Sequence, residues 1–251
     1  MQITLTAASS GTLNGWALQP ITLEIQSGEQ VAVIGPSGAG KTTLLHLMAC
    51  ALALHEGRIE LDASDPWALS PRELQQLRGD LFLAPQVPPL PARQRVVTSV
   101  LAGQLPRMGF WQSLRSLFYP VDIPAVRAAL AAFNLSDKLW DRVDRLSGGE
   151  SQRVGLARSL VSDAKLWLID EPLSALDPKL AAQVMITIKD AAKAKGATLV
   201  VSLHQVEVAL ANFPRILGLR DGTLIFDLPP SEVTPAILQN LYAQHLDELS
   251  H

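Results

Sequence analysis

Gly35-Pro36-Ser37-Gly38-Ala39-Gly40-Lys41-Thr42 decides how this chain folds. The stretch fits G-x-x-x-x-G-K-[ST] with no position left over, the pattern of a loop that cradles phosphate. Its glycines let successive backbone N–H groups turn inward toward anionic oxygens. Lys41 then reaches the β- and γ-phosphates and the Thr42 hydroxyl is available to a magnesium ion. A helix following the loop presents the partial positive charge of its N-terminus to the same anion. Gly35, Pro36, Ser37, Gly38, Ala39, Gly40, Lys41, Thr42 and Thr43 are therefore the candidate nucleotide-binding residues.

The flanks agree with this assignment. Val31-Ala32-Val33-Ile34 is a continuous apolar run, as expected of a parallel strand covered by helices on both faces. A helix is expected from Thr42 to about Leu54. Alternating runs at 3–6 and 21–25, separated by the turn-rich Ser9-Ser10-Gly11 and Asn14-Gly15, predict two N-terminal strands, and 58–61 another. Strand patterns recur at 81–84, 166–169, 198–203, 216–219 and 223–226, with a helix at 179–195 closed by Gly196. Between them, 93–160 is mainly helical with breaks, and 125–133 is a strong helix former. The expectation is one α/β domain over 1–251. Residues 1–86 and 161–228 form its sheet core, 87–160 a helical insertion and 229–251 a short helical tail.

Two carboxylates end one of these strands, in Leu166-Trp167-Leu168-Ile169-Asp170-Glu171. Beside a phosphate loop, Asp170 is the candidate magnesium ligand and Glu171 the candidate base for an attacking water. Leu146-Ser147-Gly148-Gly149-Glu150, followed by Ser151-Gln152-Arg153, opens a helix with a second anion-binding nest.

With that segment the chain resembles the ATP-binding-cassette (ABC) ATPases, whose signature is LSGGQ-like. The resemblance implies a P-loop NTPase (RecA-like) core and ATP with Mg²⁺ as ligands. It also implies a head-to-tail pairing with a second copy of the chain. In that pairing Ser147, Gly148, Gly149 and Glu150 cover the nucleotide held by the other copy's phosphate loop. Gln86 matches the Q-loop glutamine that links metal and water to a membrane partner, so Thr42, Gln86 and Asp170 form the expected metal set. Ser174 and Asp177, in Ser174-Ala175-Leu176-Asp177-Pro178, match the D-loop. His204 matches the switch histidine. The aromatic residue on which such cassettes stack adenine is missing from its usual place, which falls on Gly11, and leaves Trp16 as the candidate. Four prolines, Pro85, Pro88, Pro89 and Pro91, crowd the Q-loop, and Pro88-Pro89 is expected to stiffen it.

Finer resemblance points to the phosphonate-import ATPases. It lies in Val201-Ser202-Leu203-His204-Gln205-Val206, Gly218-Leu219-Arg220-Asp221-Gly222, Phe226-Asp227-Leu228-Pro229-Pro230 and Leu241-Tyr242. Val100-Leu101-Ala102-Gly103 and residues 111–118, where such cassettes dock their membrane subunits, are similar too. What this implies is an ATP-hydrolysing importer subunit for phosphonate or a related phosphorus oxyanion. Its partners are a separate membrane permease and, indirectly, a secreted solute-binding protein. Its place is peripheral, at the cytoplasmic face of the membrane. A cassette for phosphate, phosphite or an amino acid is the rival, and a non-transport ABC ATPase the more distant one.

Composition is consistent with these expectations. The 251 residues are 48% hydrophobic and 18% charged, which excludes intrinsic disorder. A net charge of −3 gives no basic surface for nucleic acid. The single cysteine, Cys50, makes no internal disulfide and fits a reducing compartment. Residues 45–54 are the longest apolar stretch and include His46, against the roughly 20 residues a membrane span needs. The alternating start at 1–5 is unlike a signal peptide.

Overall fold

The structure, a computed structural model, describes residues 1–12, 15–118 and 121–243, with residues 12, 15, 16, 110, 117 and 118 described by backbone alone. Numbered in chain order, its strands are β1 (Ile3–Thr12), β2 (Gly15–Ile25), β3 (Gln30–Ile34), β4 (Glu56–Leu61), β5 (Leu81–Ala84), β6 (Leu166–Asp170), β7 (Thr198–Ser202), β8 (Arg215–Arg220) and β9 (Thr223–Leu228). Six of them form one sheet in the order β5-β6-β7-β3-β8-β9, parallel except for the last pair. The other three form an antiparallel sheet, β2-β1-β4.

Period-two alternation explains the layering. Val31 and Val33 of β3 face a core shared with the antiparallel sheet, whereas Ala32 and Ile34 face the core under the helices. In β6, Leu166 and Leu168 divide from Trp167 and Ile169 in the same way. The central positions of these strands are apolar on both faces, as expected of a parallel sheet covered on both sides, and polar residues stand at the strand ends.

The helices are α1 (Lys41–Met48), α2 (Pro71–Gly79), α3 (Val96–Leu101), α4 (Phe110–Phe118), α5 (Ile123–Ala132), α6 (Gly148–Val161), α7 (Pro178–Ala194), α8 (Val206–Asn212) and α9 (Pro235–Leu241). Helix α1 is shorter than the expected 42–54. Cys50 takes a left-handed φ of 53°, and Ala51 N donates to His46 O at 2.9 Å, so a Schellman-type closure turns the chain toward β4. Cysteine is an unusual residue there, which hides the stop. Strands β1 and β2 outrun the expected 3–6 and 21–25. Ser9-Ser10-Gly11 lies within β1, because a bulge at Ala7 (φ 45°) lets pairing resume beyond it. Helix α2 was not expected, although Ser70 and Glu73 cap it reciprocally and Pro71 opens it. The expected tail contains α9; residues 244–251 lie outside the described residues. No helix among the described residues is long and apolar enough to cross a membrane.

Candidate active site

Four parallel strands, β3, β5, β6 and β7, deliver their carboxyl ends to one place, the usual position of a ligand crevice in an open α/β sheet. The phosphate loop leaves β3 there. Gly35 has φ +152°, and a Cβ on it would fall 2.0 Å from the carbonyl oxygen of Leu219, so only glycine fits. Gly40 leads into α1 with no side-chain cap, which leaves the first-turn N–H groups to an anion. Lys41, 5% exposed, donates from Nζ to the Gly35 and Pro36 carbonyls at 2.7 and 3.1 Å.

Beyond β6, Asp170 and Glu171 diverge, as successive residues at a strand end do. Asp170, 4% exposed, accepts from the Thr42 hydroxyl at 2.8 Å and from the Ser202 hydroxyl at 2.5 Å. Glu171 adopts a left-handed φ of 46°. Its N–H donates to Ser202 Oγ at 3.0 Å, and Gln86 Nε2 and His204 Nε2 each lie 2.6 Å from one of its carboxylate oxygens. Partial burial pushes the Glu171 carboxyl up. The hydrogen bond and charge of His204, with the Lys41 ammonium, outweigh this and hold it below its ordinary value.

A cleft of about 620 Å³ is lined by Ser37 to Thr43, Gln86, Glu171 and His204, together with Ala17, Asp221 and Gly222, and Asp170 reaches it through its bond to the Thr42 hydroxyl. The signature residues do not enter it. Ser147 and Glu150 form the capping box of α6 on an exposed edge (Ser147 N to Glu150 Oε2, 2.8 Å; Glu150 N to Ser147 Oγ, 3.2 Å), and Lys138 Nζ lies 3.3 Å from Glu150. Gly148 lines a neighbouring groove with Gln86 and Ser174. Asp177 caps α7, accepting from Leu180 N at 3.0 Å. Trp16 lies in β2, not ahead of the second strand, and its side chain is outside the described residues.

Two contributors escape sequence reasoning. Ser202 bridges Asp170 and the Glu171 N–H; its only signal is a hydroxyl in an apolar strand two positions before His204. Gln152 donates to the Glu171 carbonyl from α6 at 2.9 Å.

A magnesium ion suits the donors Thr42, Asp170 and Gln86, all hard oxygen groups. Among the described residues no group of three or more His, Cys, Asp or Glu builds a metal cage. Phosphate oxygens and water have to complete the shell, as is usual for this ion.

A family model described as ABC transporter matches residues 18–174. The "Phosphonates import ATP-binding protein PhnC" of Polaromonas sp. is 66% identical over 234 residues, 93% of this chain and 84% of that protein. A second protein of that name, PhnC 2 of Albidiferax ferrireducens, is 65% identical with the same coverage. A bacterial ABC transporter cassette solved as a dimer superposes with a TM-score of 0.80 at 27% identity, covering 91% of this chain and 98% of that one. Phosphate loop, Glu171, Gln86 and His204 thus meet in one cleft, with Asp170 bonded to Thr42, and the chain belongs to the ABC transporter family, on the branch of the phosphonates-import ATP-binding proteins.

Proposed function

We propose that this chain is the ATP-hydrolysing subunit of an importer for phosphonate or a related phosphorus oxyanion. The single observation that carries the catalytic reading is the convergence of Lys41, Thr42, Glu171, Gln86 and His204 on one cleft, with Asp170 bonded to the Thr42 hydroxyl. The names of relatives 66% and 65% identical support the cargo.

On this reading ATP seats its phosphates in the loop, and Lys41 exchanges the Gly35 and Pro36 carbonyls for β- and γ-phosphate oxygens. Thr42, Asp170 and Gln86 would hold Mg²⁺, which would neutralise charge on those phosphates. Water attacks the γ-phosphorus as the bond to the bridging oxygen breaks, and the water's proton passes to a Glu171 oxygen. Gln86 and His204 aim that carboxylate, and positioning with electrostatic stabilisation supplies most of the rate. A second copy, packed head to tail, brings Ser147, Gly148, Gly149 and Glu150 to the γ-phosphate, with Ser174 and Asp177 at the interface. Closure is driven by the contacts that the closed state adds. The two copies act on membrane permease subunits from the cytoplasmic face, and a secreted solute-binding protein delivers the cargo.

Uptake of labelled aminoalkylphosphonate tests this reading, comparing cells that carry the parent chain with cells that carry Lys41→Ala, with labelled phosphate and phosphite in parallel. Loss of phosphonate uptake alone is expected. Loss confined to phosphate or phosphite discards phosphonate as the cargo but keeps the cassette, and unchanged uptake of all three discards the transport role.

A further inference from the structure

We propose that Gln152 is a positioning residue that ties the Glu171 carboxylate to the signature segment of the same chain. Gln152 lies on the buried side of α6, one turn beyond Gly148, and is 5% exposed. Its Nε2 donates to the Glu171 carbonyl at 2.9 Å and to Ser174 Oγ at 3.2 Å, and its Oε1 accepts from Ala175 N at 3.3 Å. One side chain therefore satisfies three groups of the loop that follows β6.

Glu171 needs this support. A non-glycine residue with φ 46° holds a sparsely populated conformation and keeps it only when its surroundings dictate it. Its N–H is held from β7 by the Ser202 hydroxyl at 3.0 Å and carbonyl at 3.2 Å. Its carbonyl is held by Gln152 and by Ser174 Oγ at 3.3 Å. The peptide groups on both sides of Cα are thus clamped, and the direction of the carboxylate follows from the clamp.

Packing reinforces the link. A Cβ on Gly149 would sit 2.9 Å from the Ala175 carbonyl oxygen and 3.1 Å from Leu176 Cδ2, so the start of α6 and the 174–176 loop are in close contact. A displacement of α6 is therefore passed to Glu171 through directional bonds as well as through contact. The inference rests on the reading of Glu171 as the base and of 147–150 as the cover of a second copy's nucleotide. On that reading, engagement of the signature at one nucleotide sets the carboxylate at the other.

Turnover of the purified full chain tests the role, with Gln152→Glu (same size, acceptor kept, donor lost), Gln152→Met (neither), Glu171→Gln and the Gln152→Met/Glu171→Gln double variant. Both single changes at Gln152 should lower kcat about tenfold, with KM for ATP within about twofold and cooperative thermal unfolding retained. In the Glu171→Gln background, Gln152→Met should cause no further loss in single-turnover phosphate release, because its effect is routed through that carboxylate. The inference is overturned if kcat is unchanged, if KM rises as kcat falls, or if the loss persists undiminished in that background. Parental turnover by Glu171→Gln alone overturns instead the function on which the inference rests.

Discussion

At the scale of single residues, the site sets loop N–H groups and the Lys41 ammonium beside the oxygens of Thr42, Asp170 and Glu171. On the proposed function, Glu171 is the residue that takes the water's proton. A carboxyl held below its ordinary value is ionised at neutral pH and stays so until the pH falls through its folded pKa. The acid limb set by this group therefore lies below that of an ordinary glutamate. Glu171→Gln keeps the size and one acceptor but cannot take a proton. It should lower hydrolysis about a hundredfold or more while ATP affinity by calorimetry stays within about threefold. Unchanged steady-state turnover sinks the assignment. Lys41, Asp170 and Glu171 are legible in the sequence because each stands in a short linear pattern. Ser202 and Gln152 are not, since their partners lie elsewhere in the chain and no local pattern names them.

Among the elements, β6 bears the most on the site, because it ends in Asp170, delivers Glu171 as the next residue and is buried at all five positions. Trp167 fills the core on the helical side, its Nε1 donating to the Ala164 carbonyl at 3.1 Å and its ring set edgewise to Phe82, with centroids 6.4 Å apart. Trp167→Ala removes the largest fully buried side chain next to the site and should cost about 3–5 kcal/mol in urea unfolding. A loss under about 1 kcal/mol contradicts this packing role. The Q-loop beside this strand is also braced. Pro88 lies so close to Gly155 of α6 that a Cβ there would meet it at 2.6 Å. Pro88 therefore seats this loop on α6. In α4, Trp111 and Leu114 face outward from the segment matched to membrane-subunit docking.

For the molecule as a whole, Cys50 reports on cooperativity. Its thiol is fully buried where α1 ends, and burial pushes its pKa from 9.0 up to about 11. Between those values the folded thiol keeps its proton while the unfolded one releases it. Stability is therefore lost as pH rises through this window, by at most about 1.4 kcal/mol per pH unit. A thiol reagent at pH 8 should label the native protein only through unfolding, and urea should raise the labelling rate steeply. Rapid labelling of the folded chain rules out this burial.

The sequence by itself determined the phosphate loop, the doubly buried strand before it, the paired carboxylates and the order of motifs. Each is written in neighbouring residues and follows from local periodicity or backbone freedom. The length of α1 and the extent of β1 and β2 were less legible, because they turn on a cysteine and an alanine in left-handed conformations that composition does not advertise. Only the tertiary structure decided that Gln86 and His204 both close on Glu171, that Ser202 joins Asp170 to it, and that the signature stands outside the cleft. Those contacts depend on the strand order β5-β6-β7-β3, which is set by burying the whole sheet between its two covering layers, and no short stretch of the chain encodes that balance.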